Sequence, residues 1–171
     1  GDLSAAASVT IDGAATVDQI QALETALGNG AGAVATTVED GFTITDVYSN
    51  DDVDAIGDEL ANGGLVDRAA TVNITGAITI DNIDAAAAAY AETDDPATLG
   101  THITYTLEDA ADTLTGNVAT VNAAISSSIT DATVTVAQAE LLLALESFDD
   151  TYTISDSLAG LGGAAAGTLE G

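Results

Sequence analysis

A strand, a turn and a capped helix are predicted in direct succession by residues 128–145, SITDATVTVAQAELLLAL. The β-branched residues in 128–130 favour a strand, and Asp131 is a typical turn residue. Thr135 and Gln138 have the Thr-x-x-Gln spacing of a capping box, which marks the start of a helix. Apolar residues then recur at helical spacing and predict one buried helix face, formed by Val136, Ala139, Leu142 and Leu143.

The same unit recurs along the chain in two alternating forms. The units lie at about residues 8–27, 42–60, 71–90, 102–121, 128–147 and 152–170. Ile11 and Ile74, in two units of the first form, are 63 residues apart, and so are Ile44 and Leu107 in the second form. The last pair of units is compressed, with corresponding spacings of 55 and 47 residues. Two equal spacings in two different forms indicate a duplicated pair of units.

A repeat of this length predicts an α/β repeat fold, a solenoid-like stack of strand-turn-helix units with a parallel sheet. The alternative is a compact, β-rich α/β domain with internal duplication. We expect residues 1–171 to form a single repeat domain. Its composition, 47% hydrophobic but only 4% aromatic, favours thin, closely stacked layers. Residues 2–5 resemble the interior of a second-form unit, so we expect a piece of a longer array or a chain that stacks head to tail with copies of itself.

Charge excludes several classes of partner. The chain has 28 acidic residues against one arginine and no lysine, and its net charge is −27. Binding to nucleic acid and attachment to an anionic membrane both need basic residues that are lacking here. No apolar stretch is long enough to predict membrane insertion. High salt or divalent cations would make this charge tolerable, which favours a marine, halophilic or calcium-rich exterior.

Acidic residues at the predicted turns are candidate calcium ligands, because calcium prefers carboxylate oxygens. The candidates are Asp46, Asp51, Asp52, Asp109, Asp131 and Asp156. Alternatively, these are solvated turn acids that complement helix dipoles, and the same two interpretations apply to the pairs Asp94–Asp95 and Asp149–Asp150. If equivalent turn acids stack, they form a repulsive ladder, so that cations bridge them or the side chains point to water.

No catalytic site is predicted. Cysteine is absent, and His102, the only histidine, has no nucleophile motif beside it, so we expect a structural or exposed histidine and not a catalytic one. Arg68 is expected to form an ion pair with a neighbouring acid such as Asp67. No cofactor is predicted apart from possible calcium.

Two segments carry a resemblance to a known class of protein: TDATVTVAQAELLLAL at 130–145 and YTISDSLAGL at 152–161. They resemble the tandem repeats of very large secreted bacterial surface proteins, including cyanobacterial and other marine adhesin, S-layer-like and RTX-associated proteins. The resemblance covers most of the chain and implies export, an extracellular location at the cell surface and frequent calcium dependence. The calcium-binding nonapeptide of RTX proteins, GGxGxDxUx, is missing, since Gly162 and Gly163 lead into AAAG.

We therefore expect a structural component of an extracellular surface assembly, such as a surface layer, sheath, filament or long adhesin. It would self-associate through strand pairing and end-to-end contacts, with copies of itself or adjoining repeats as partners. The alternative is a calcium- or glycan-binding module of a secreted adhesin, with a cell-surface glycan as its partner. Neither expectation is of an enzyme.

Overall fold

A computed structural model of the chain describes residues 8–28, 37–38, 41–48, 56, 69–91, 102–164 and 168. The described strands are β1 (Ser8–Val9), β2 (Ala14–Ala15), β3 (Thr37–Val38), β4 (Thr43–Val47), β5 (Thr71–Ile78), β6 (Ile103–Asp109), β7 (Ser126–Ile129), β8 (Thr133–Val134) and β9 (Thr153–Ile154). The described helices are α1 (Val17–Gly28), α2 (Ile80–Ala91), α3 (Ala111–Gly116), α4 (Val118–Ala123), α5 (Val136–Leu142) and α6 (Leu158–Gly163).

The fold is α/β and is built on a five-stranded parallel sheet with the order β2-β4-β5-β6-β7. Two shorter parallel ladders, β1-β3 and β8-β9, accompany this sheet. Strand order follows chain order, since parallel strands joined by helices pair with their neighbours along the chain. The predicted α/β class and the parallel sheet are confirmed.

The chain divides into two compact units. The first contains Gly1–Gly76 and Ala86–Thr104, and the second contains Ala77–Ala85 and Tyr105–Gly171. In the first unit, Ala14 of β2 lies opposite Thr43 of β4, which in turn lies opposite Thr71 of β5. In the second unit, β6 pairs with β7, and β8 pairs with β9.

Glycines occupy backbone positions with positive φ at two of the predicted turns. Gly13 has a φ of 95°, and Gly76 has a φ of 82°. The sequence of the unit at 71–90 predicts that Gly76 lies at its turn, and this prediction is wrong, because β5 runs on to Ile78. A single left-handed residue is compatible with a local distortion inside a strand, for which glycine has no steric cost.

Helix faces are buried largely as the spacing predicts. Val136, Ala139 and Leu142 of α5 are all buried, but Leu143 is 51% exposed, contrary to prediction. Leu143 is the C-cap of α5, and its N–H still bonds to the Ala139 carbonyl oxygen, so its exposure reflects a lack of packing partners at the end of the helix. Leu145 is buried in the segment that follows.

Tyr105 of β6 is the largest fully buried side chain among the described residues. Its hydroxyl donates a hydrogen bond to the Thr120 carbonyl oxygen at 2.7 Å. Burial, with a smaller contribution from the charge of Asp84, raises the pKa of Tyr105 to about 12. The phenol is therefore held in its neutral form by the second unit.

Alkaline pH should destabilise the second unit through Tyr105. Because its pKa is raised on folding, its contribution is complete below about pH 10 and is lost as the pH rises to about 12, a decrease of about 1–3 kcal/mol. Tyr105→Phe should lower the free energy of unfolding by about 1 kcal/mol at neutral pH and remove this alkaline loss. Denaturant unfolding at a series of pH values measures both effects. An equal alkaline loss in wild type and variant would contradict the assignment.

Candidate functional site

Four turn aspartates predicted from the sequence lie in the last two residues of a strand or within two residues after it. In the first unit, Asp46 Oδ2 accepts a hydrogen bond from the Val17 N–H, which begins α1, at 3.0 Å. In the second unit, Asp109 Oδ2 accepts from the Ile80 N–H, which begins α2, also at 3.0 Å. Both bonds join residues 29 positions apart.

The same contact recurs over a shorter separation near the end of the second unit. Asp131 Oδ2 accepts from the Ala111 N–H of α3 at 2.6 Å, and Asp156 Oδ2 accepts from the Val136 N–H of α5 at 3.0 Å. These bonds join residues 20 positions apart. We call the four contacts, made by Asp46, Asp109, Asp131 and Asp156, the aspartate caps.

Strand register explains the aspartate caps. Val134 lies opposite Ile154, so two residues further along Val136 lies beside Asp156. The chain leaves β8 and begins α5 at Val136, so the Val136 N–H no longer meets a carbonyl oxygen of the neighbouring strand. The aspartate side chain reaches across and provides the acceptor, which satisfies one of the N–H groups that a helix leaves unpaired at its start.

The second carboxylate oxygen is also used. Oδ1 of Asp46, Asp109 and Asp156 accepts from the N–H of the following residue, at 2.8, 2.8 and 2.6 Å respectively. The negative charge lies at the positive end of a helix dipole, where it is favourable. Hydrogen bonds from the Ser157 and Val136 N–H groups lower the pKa of Asp156 below its ordinary value.

Local caps complete the helix starts. The capping box of Thr135 and Gln138 is formed in both directions, as predicted. Thr16 and Gln19 form the same reciprocal pair, at 3.1 and 3.3 Å. α1 and α5 are thus each capped twice, once by their own sequence and once by an aspartate further along the chain.

The remaining sequence-predicted acids lie elsewhere. Asp51 and Asp52 fall outside the described residues, as do Asp94, Asp95 and the expected Arg68–Asp67 ion pair. We expected stacked aspartates to need bridging cations or to point to water. The structure adds an arrangement that was not expected, in which backbone N–H groups bind one carboxylate oxygen of Asp131 and both oxygens of the other three. Within the described ranges, no group of three or more His, Cys, Asp or Glu side chains is placed to hold a metal ion. Calcium binding by these aspartates stays a prediction.

Two cross-strand contacts were not predicted. Asp150 Oδ2 accepts from the Ile129 N–H at 3.1 Å, an aspartate contact of the same kind made to a strand. The side chain of Asn73 donates to Thr45 at 3.1 Å and accepts from Thr104 at 2.6 Å, which links three neighbouring strands. The sequence does contain a signal for Asp150. It lies six residues before Asp156, and another aspartate, Asp40, lies six residues before Asp46.

His102 lies at the start of β6 and is half-buried. Its Nδ1 atom is 3.1 Å from the Ala70 carbonyl oxygen, and its own carbonyl accepts from the Val72 N–H at 2.7 Å. These contacts connect neighbouring strands, which agrees with the structural role expected for this residue.

No protein-family model, curated protein or solved structure matches the chain. None of the helices that the structure describes is long and apolar enough to cross a membrane.

Replacing a cap aspartate by its neutral isostere should cost stability despite relieving charge repulsion. Asp109→Asn loses one acceptor oxygen and the charge at the start of α2, so we expect the free energy of unfolding to fall by about 1–2 kcal/mol. The matched control is Glu108→Gln, which removes the same charge from the adjacent exposed position. Denaturant unfolding should show the control to be neutral or slightly more stable. Equal effects of the two substitutions would show that the cap contributes nothing.

Acid should remove the contribution of Asp156. Because its pKa is lowered on folding, the stabilisation is present above the ordinary aspartate pKa of 3.8 and is lost as the pH falls through the lower folded value. Melting temperatures of wild type and Asp156→Asn should therefore differ above about pH 5 and converge in strong acid. A difference that is constant over the whole pH range would contradict this linkage.

Proposed function

We propose that the chain is a structural component of an extracellular surface assembly, in which strand-turn-helix units stack in a solenoid-like array. The observation that carries this proposal is the aspartate cap, which recurs with the same atoms at separations of both 29 and 20 residues. A joint that is independent of unit length can be repeated without limit. Such a joint suits a protein whose task is to extend, as in a surface layer, sheath, filament or long adhesin.

Strand pairing supports the same proposal. Each register pair in the five-stranded sheet is parallel and joins strands that follow one another in sheet order, as with Thr43 opposite Thr71 and Thr106 opposite Ser126. Parallel stacking of this kind leaves a free edge at each end of a ladder, and a free edge is a template for a further strand. Copies of the chain or adjoining repeats are the partners that fit it.

Composition supports the location. A net charge of −27 with a single basic residue is tolerable where salt shortens the range of repulsion to a few ångströms. A saline exterior at the cell surface provides that condition. The proposal includes no enzymatic step.

One feature favours the alternative, a calcium- or glycan-binding module of a secreted adhesin. Asp131 and Asp156 are exposed residues, although both take part in aspartate caps through part-buried hydrogen bonds. A carboxylate oxygen that accepts one hydrogen bond retains a second acceptor position, which a calcium ion could use.

Assembly in the presence of a calcium chelator separates the two functions. In about 1 M salt, the purified chain should form ordered polymers that grow with protein concentration and persist in chelator, as seen by sedimentation velocity and electron microscopy. A chain that stays monomeric, and whose melting temperature falls on chelation, would overturn the structural proposal in favour of the binding module.

A matched pair of variants locates any calcium effect. If calcium raises the melting temperature of wild type through the caps, the rise should be lost in Asp131→Asn and kept in Glu108→Gln, which lies outside them. A rise kept in both variants would place calcium away from this cap.

A further inference from the structure

Among the described residues, the start of α6, beside β9, lacks a contact that the start of α3 makes. Ala111 and Leu158 each lie two residues after a cap aspartate and open these two short helices. Ala111 is fully buried and its N–H is bound by Asp131, whereas the Leu158 side chain is 88% exposed. The difference is that β6 lies between two strands, while in the described residues β9 has only β8 beside it.

Side chains on β9 are also less completely packed than their counterparts on β6. Tyr105 and Leu107 are fully buried, but Tyr152 and Ile154, at the corresponding distances from Asp156, are only half-buried. The Tyr152 hydroxyl oxygen is enclosed and has no hydrogen-bond partner among the described residues. β9 thus resembles an interior strand, but within the part of the chain that the structure describes it has a neighbour on one side only.

The other end of the chain carries the matching aspartate. Asp131 lies four residues before Thr135, and Asp12 lies four residues before Thr16, and both threonines form capping boxes. Asp12 is exposed, and the described residues make no hydrogen bond to it. Within those residues, β1 and β2 each have one sheet neighbour, so both have a free edge.

We propose that β9 of one copy pairs in parallel with β1 of a second copy, so that Asp12 of the second accepts a hydrogen bond from the Leu158 N–H of the first. The register follows from β6 and β7, in which Glu108 lies opposite Ser128 and Asp109 lies opposite Ile129. By equivalence, Ser155 lies opposite Val9. This inference rests on the proposed function and specifies how its copies join.

Charge decides the conditions under which the copies join. Each copy carries a net charge of −27, so association is opposed at low salt. At about 1 M salt the Debye length is about 3 Å, and the short-range contacts at the edge then outweigh the repulsion. The contacts are the backbone hydrogen bonds of the new strand pair, the Asp12 cap and the covering of Leu158.

Disulfide trapping tests the register directly, because the chain has no cysteine of its own. Val9→Cys and Ser155→Cys are prepared separately and mixed in about 1 M salt under mild oxidation. Neighbouring strands are about 4.8 Å apart, which is within the Cα separation that a disulfide spans. The disulfide between Val9→Cys and Ser155→Cys should form at least about tenfold faster than the disulfide between Val9→Cys and Thr153→Cys. Thr153 is two residues out of the proposed register.

Removing either partner of the new cap tests the hydrogen bond. Leu158→Pro deletes the N–H, and proline is well tolerated at the first position of a helix, so α6 is kept. Its control, Leu158→Ala, shortens the side chain and keeps the N–H. Leu158→Pro should weaken association about tenfold relative to Leu158→Ala, and Asp12→Ala about tenfold relative to the exposed control Asp18→Ala, by sedimentation velocity.

Failure of this inference is distinct from failure of the proposed function. Polymers that form equally well with Asp12→Ala and Leu158→Pro, or cross-links that join like variants instead of the mixed pair, would overturn the inference and leave the proposed function standing. A wild-type chain that stays monomeric at every salt and protein concentration would overturn both.

Discussion

The structure depends on a carboxylate on one strand that binds the backbone N–H at which the neighbouring chain leaves the sheet and becomes a helix. Without this carboxylate, the change from strand to helix would leave a backbone N–H near the core without a partner. The carbonyl groups of the neighbouring strand, which pair with the N–H groups of the strand itself, are out of reach once the helix begins. The aspartate caps at Asp46, Asp109, Asp131 and Asp156 provide that partner with the same atoms each time. They also place four negative charges of a very acidic chain where they are favourable, since each carboxylate faces the positive end of a helix dipole.

Much of the fold is predictable because its signals are local. Capping boxes need residues only three positions apart, and the pairs at Thr16 and Thr135 are formed as the sequence predicts. Short strands that alternate with helices predict parallel pairing in the same way. Leu143 and Gly76 were predicted incorrectly because spacing alone does not show where a helix ends or whether a glycine interrupts its strand.

The partners of the turn aspartates were not predictable, because they depend on register. Asp131 reaches Ala111 only if β6 and β7 align as they do, and no local pattern encodes that alignment. A ladder of aspartates therefore suggested repulsion and cations, whereas the aligned strands bring backbone donors to the carboxylates.

The aspartate caps also give the chain a direction. For these four helix starts the acceptor lies 20 or 29 residues further along the chain, never before it. As a polypeptide emerges from the ribosome with its N-terminus first, the first N–H of each of these helices gains its aspartate partner only after those residues have been added. The caps therefore form in order from the N-terminus, each one delayed by the length of chain between the helix start and its aspartate.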